Sequence, residues 1–154
     1  MQKNTFILAL ITAISLGFSQ LVYAQTANEP VTSQDVKKET QELINTLGQF
    51  TAAQRDEAKQ TAEQAMKKLD SRIESLEKRI DTNWDSMTQA TQSKTQASLN
   101  ALRQQRNELA EWYKGFMNSS SSAWDDVKKG FSDTYQSIND ALEKTKSEHE
   151  ADSK

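Results

Sequence analysis

The chain has 154 residues and a formal net charge of −3, with no Cys, one His, one Pro and four Gly. Without Cys there is no disulfide framework, thiol catalysis or Cys-based zinc site, and one His with few turn formers argues against a metal cage or a many-stranded β fold. The length suits one domain, and a net acidic chain whose basic doublets, Lys67-Lys68 and Lys128-Lys129, lie near acids does not suit nucleic acid.

Residues 1–24 have the layout of a secretory signal peptide. Lys3 supplies a positive start, Phe6 to Phe18 form an apolar run, and Val22-Tyr23-Ala24 offers tolerated residues for cleavage after Ala24. The run is short of the ~20 apolar residues that a membrane span needs, and Ser19 and Gln20 interrupt it. No Cys follows it to carry a lipid. Export without Cys implies the bacterial periplasm, where disulfides are permitted but not required.

Removing these 24 of 154 residues leaves 130, of which Leu, Ile, Val and Phe supply only 18. Such a fraction marks disorder when net charge is high. Here acids and bases are interspersed and the apolar residues are periodic, which predicts thin helical packing. An extended bundle needs only one apolar stripe per helix.

Residues 25–31 read as a linker, with Pro30 as its stop signal. A single helical domain is expected over 32–146. Thr32 or Ser33 can cap a first helix carrying Val36, Thr40, Leu43, Ile44 and Leu47 at three- and four-residue steps, with Gly48 as a plausible C-cap. Thr51-Ala52-Ala53-Gln54 is a capping box, so the next helix should start near Ala52. Its stripe reads Ala58, Ala62, Ala65 or Met66, Leu69, Ile73, Leu76, Ile80, Trp84 and Met87, with coiled-coil spacing from Leu69 to Ile80.

Residues 88–98 lack strong hydrophobes, Gly and Pro. They read as either a polar helical stretch or a hairpin turn. The stripe resumes at Leu99, Leu102, Leu109, Trp112 or Tyr113, and Phe116. Asn118–Ser122 is the clearest break, after which Ser122 can cap a last helix carrying Trp124, Val127, Phe131, Tyr135, Ile138 and Leu142 on one face. Gly130 inside this helix costs about 1 kcal/mol relative to Ala, which points to a close approach by another helix. Residues 147–154 read as a charged, disordered tail. The fold class expected is all-α: an elongated antiparallel coiled-coil hairpin or a three- to four-helix bundle.

Candidate chemistry is sparse. His149 lies in the charged tail without apolar neighbours and reads as solvated. The carboxylates alternate with bases, and no isolated pair sits in an apolar setting where general acid–base work could be tuned. The Ser119–Ser122 run has no companion base, and there is no Gly-rich phosphate loop. The chain is therefore read as non-enzymatic, with no catalytic residues, metal ligands, cofactors or small-molecule substrate. The informative set is aromatic: Trp112, Tyr113, Phe116, Trp124 and Phe131 cluster around the Asn118–Ser122 break. They form either a core, with large rings offsetting scarce aliphatics, or an apolar patch for a partner or membrane surface.

The segments FTAAQRDEA (Phe50–Ala58), LDSRIESLEKRI (Leu69–Ile80), RNELAEWYKGF (Arg106–Phe116) and SSAWDDVKKGFSDTY (Ser121–Tyr135) resemble a family of uncharacterised exported bacterial coiled-coil proteins. That resemblance implies a class and a compartment, not an activity. Separately, Phe50–Arg55 (FTAAQR) is similar to the LTxxQ element of Spy-type periplasmic chaperones, with Phe in place of Leu and no second copy. Three functions follow as expectations. The first is protein interaction or envelope stress protection, by a protein partner or self-association. The second is Spy-like holding of unfolded clients. The third is binding to a lipid surface, which the last helix serves poorly because its polar face lacks a Lys/Arg excess.

Overall fold

The computed structural model describes residues 31–151, with side chains through His149. The signal peptide expected over residues 1–24, most of the linker and residues 152–154 lie outside it. The described chain is all-α: α1 (Ser33–Gln49), α2 (Arg55–Asn83), α3 (Gln89–Asn118) and α4 (Trp124–Ala151). Short 3-10 turns at Ala52–Gln54, Trp84–Ser86 and Ser121–Ala123 precede or follow these helices. Among the described residues no helix is long and apolar enough to cross a membrane.

Side-chain pairs between helices set their directions. Arg72 of α2 meets Asn139 of α4, and Arg55 lies over Trp124, so α2 and α4 run parallel. Arg103 and Arg106 of α3 reach Glu77 and Asp70 of α2, so α3 is antiparallel to both. Ser33 and Gly48 of α1 meet Glu143 and Lys128, so α1 is antiparallel to α4. The result is an up-down-up-down four-helix bundle. At about 1.5 Å per residue, the 17 residues of α1 span little more than half the length of the 28-residue α4. The end holding the α2–α3 turn is therefore only three helices thick.

The expected stripes form the core. Ala58, Ala62, Leu69, Ile73, Leu76 and Ile80 of α2 are buried against Leu102, Leu109 and Phe116 of α3 and the whole Trp124–Leu142 stripe of α4. Only Val31 and Met117 are exposed large hydrophobics among the described residues.

Of four local features, the first decides between the two alternatives open for residues 88–98 in favour of helix, and the other three differ from the sequence expectation. The hairpin turn lies just before residues 88–98. Trp84–Ser86 tightens into a 3-10 turn, Thr88 caps α3 by accepting from the Thr91 N–H at 3.2 Å, and Gln92 Nε2 donates to the Trp84 carbonyl at 2.8 Å. Residues 89–98 are helix, and the turn needs neither Gly nor Pro because side chains satisfy its backbone. Second, Ser120 rather than Ser122 makes the cap before α4, with its Oγ accepting from the Ala123 N–H. Third, Gly48 lies inside α1, whose C-cap is Phe50 in an extended conformation. A methyl group at Gly48 would meet nothing within 4 Å. Gly48→Ala should therefore raise stability by about 0.5–1 kcal/mol, read as a higher urea midpoint at unchanged m-value.

Fourth, α4 does not fray at Thr145. It continues to Ala151, and His149 is buried rather than solvated. The reason is register. From Trp124 the inward positions step by three and four through Val127, Phe131, Tyr135, Ile138 and Leu142, and the same steps reach Thr145 and His149. Asn83 of α2 faces this end, with its Nδ2 3.2 Å from His149 Nε2.

Candidate functional site

The aromatic residues converge where α3 ends and α4 begins. Ser119 ends α3 in an extended conformation, and the 3-10 turn then folds α4 back along it. Phe116 becomes the centre of the cluster. Its ring packs edge-on against Trp124 (centroids 5.6 Å apart, 78° between planes) and Phe131 (5.4 Å, 70°). Phe131 in turn stacks on Tyr135 at 6.3 Å. Edge-to-face pairs of this kind add about 0.5–1.5 kcal/mol beyond their buried area.

Of the five residues singled out from sequence, Phe116, Trp124 and Phe131 are thus core. Trp112 and Tyr113 are partly buried at its margin. The Trp112 ring covers Gly130 so closely that a Cβ there would lie 2.5 Å from ring atoms. Gly115 likewise leaves room for Val127, 2.9 Å from where its own Cβ would be. The close helix approach expected at Gly130 is present, and the apolar face of α4 is used inside the bundle.

Polar groups fasten α1 to this end. The Trp124 indole N–H donates to the Phe50 carbonyl at 2.9 Å, and Lys128 Nζ donates to the Phe50 and Gly48 carbonyls at 3.0 and 3.2 Å. Lys128 thereby places its charge on the unpaired carbonyls at the negative end of α1, where a cation is favoured. The Arg55 guanidinium sits 5.0 Å above the Trp124 ring and donates to the Phe116 carbonyl and Ser119 Oγ at 3.4 Å. Trp124→Phe should cost about 1 kcal/mol in urea unfolding. The loss is modest because Lys128 still serves the Phe50 carbonyl.

A second cluster has no precursor in the local sequence pattern. Halfway along the bundle, Arg72 of α2 donates to Asn139 Oδ1 of α4 at 3.0 Å and to Glu39 Oε2 of α1 at 2.5 Å. Asn139 is buried and returns its Nδ2–H to the Tyr135 carbonyl at 3.0 Å. Burial pushes the Tyr135 hydroxyl above its ordinary pKa, partly offset by the nearby Arg72 cation. Arg72 and Asn139 each sit one residue from an inward position, Ile73 and Ile138, so periodicity alone marks them as flank. The pairing exists because α1 closes over that flank.

Two cavities border this layer. One of about 260 Å³ lies between α2 and α4 beside the start of α1, with Val36, Leu76, Leu142, Arg72, Glu143 and Lys146 among its lining. The other, of about 380 Å³, runs between α1 and α4 along Val36, Thr40, Gln136 and Asn139. Elsewhere the ion pairs are surface ladders: Arg103–Glu77 and Arg106–Asp70 join α3 to α2, and Lys67–Glu63 and Lys78–Glu74 lie within α2. Exposed pairs of this kind contribute little each. Among the described residues no group of three or more His, Asp or Glu is placed to hold a metal ion.

Comparison with family models, curated proteins and solved structures found no match for this chain.

Proposed function

We propose that this chain is an exported, periplasmic, non-enzymatic helical protein that works by protein interaction, protecting the envelope by holding partly unfolded polypeptides. The observation that carries this reading is how the bundle spends its side chains. The apolar residues are single stripes turned inward, and several charged residues, among them Arg72, Arg103 and Arg106, bridge one helix to another. What such a bundle can offer a partner is the helices themselves, exposed when a thinly packed structure opens. Amphipathic helices present apolar anchors at three- and four-residue steps, a pattern that accepts many polypeptides. The signal-peptide layout of residues 1–24 supports the compartment.

The test is suppression of light scattering by a heat-aggregating client, such as citrate synthase, on adding the purified protein. Suppression at stoichiometric ratios is the expected result; undiminished scattering at large excess overturns the reading. N-terminal sequencing of the protein recovered from a periplasmic fraction should begin at Gln25.

A further inference from the structure

The two halves of α1 are attached differently. The second half is fixed into the continuous core. Leu47 is fully buried there, Leu43 and Phe50 pack against it, and Trp124 and Lys128 hold the Phe50 and Gly48 carbonyls. The first half touches the bundle through polar groups. Glu39 binds Arg72 and lies 3.8 Å from Lys68, and Ser33 donates to Glu143. Val36 is buried but is not part of the continuous core, and the next inward residue, Thr40, turns its hydroxyl back to the Val36 carbonyl at 2.8 Å. The two cavities undercut this same half on its two sides.

Polar contacts of this kind, partly open to water, are weak holders. Glu39 is 41% exposed and Arg72 21%, so their attraction is screened by salt and offset by desolvation.

We infer that Ser33–Thr40 opens from α2 and α4 as one unit while Leu43–Phe50 stay docked, with the Arg72–Glu39 pair as its latch. Opening uncovers Leu76 and Leu142 beside Arg72, Glu143 and Lys146, which line the cavity next to the closed segment. This motion belongs to α1 in the protein alone, so it stands or falls independently of the holding function.

Hydrogen exchange read by NMR on the purified protein tests it. Once undocked, so short a helical segment does not hold its own hydrogen bonds, so the amides of residues 37–44, which donate to carbonyls in the opening half, should share one protection level, below that of residues 46–50 and of α2. Glu39→Gln should lower that shared level by about fivefold, the effect of roughly 1 kcal/mol, and leave residues 46–50 within about twofold. Raising NaCl should move the unmodified protein the same way. Bridging Ser33→Cys and Glu143→Cys with a short bis-maleimide, which adds one thiol to each ring, should restore protection in the Glu39→Gln background; the chain has no other Cys to interfere.

Three results overturn the inference. Protection that climbs residue by residue from position 37 means ordinary end fraying. An equal loss across all of α1 means that the helix leaves whole. An unchanged level in Glu39→Gln, at both low and high salt, means that the pair is not a latch. The salt series on the unmodified protein decides the matter even if the variant is poorly folded.

Discussion

Replacing Gly130 with alanine destabilises the bundle by about 1–3 kcal/mol, against the usual preference of helices for alanine. In an unconstrained helix the change would gain about 1 kcal/mol. Here the added methyl would lie 2.5–2.6 Å from three atoms of the Trp112 indole. The ring lies over the glycine, so a small rotation of its tip does not clear the contact. Either Trp112 swings out and loses its partial burial, or α3 and α4 move apart along their interface. Separation would also disturb the Gly115–Val127 contact about one turn further toward the aromatic cluster. Urea unfolding of Gly130→Ala should therefore show a lower midpoint. The cause can be isolated by a double-mutant cycle with Trp112→Leu. Without the indole, Gly130→Ala should become neutral or stabilising, whereas an equal loss in both backgrounds would remove the ring as the reason.

This glycine was legible in the sequence as an anomaly, a costly residue in the middle of a strongly amphipathic helix. Most of the fold was legible in the same way. The stripe Leu69–Ile80 keeps coiled-coil spacing, the stripe Trp124–Leu142 lies on one helix face, and both are buried along their length. Periodicity of apolar residues fails where the seam turns polar. Thr95 completes a seven-residue series with Leu102, Leu109 and Phe116 and is buried, but a threonine among Gln and Ser carries no apolar signal. Thr145 and His149 extend the α4 seam in the same way, so a segment that composition marks as a charged tail is helix packed against α2 and α3. Continuing the four-three steps past Leu142, regardless of residue type, is the signal that finds them.

The polar layer was illegible for a different reason. Arg72 and Asn139 acquire partners only when α1, distant in sequence, folds across them. Pair formation at such separations follows from topology, not from local spacing. The α2–α3 turn had no conventional marker either, because side-chain caps from Thr88 and Gln92 do the work that Gly or Pro does elsewhere. As for the aromatic residues, the sequence left them between core and contact surface. The rings of Phe116, Trp124 and Phe131 are inside because the break at Ser119–Ser120 folds α4 directly back on α3.

That placement makes the second large effect a test of both stability and function. Phe131→Ala should cost about 3–5 kcal/mol, a large part of the 5–15 kcal/mol that a domain commonly has. Phe131 is fully buried and touches both Phe116 and Tyr135, so its removal opens a void at the densest aromatic part of a thin core. Phe131→Leu keeps much of the volume and should cost well under half as much, and Met117→Ser, at an exposed position, should be close to neutral. Far-UV circular dichroism with urea would rank the three. If clients bind helices exposed by opening, the same order should appear reversed in client holding. A destabilised bundle populates open forms more, and a ligand selective for them finds more to bind. Phe131→Ala should then suppress client aggregation at a lower temperature than the unmodified protein does, with Phe131→Leu between them. If instead Phe131 were part of a contact surface on the closed bundle, its removal would weaken suppression at every temperature. The direction of that single change separates a protein that works by opening from one that works through a preformed patch.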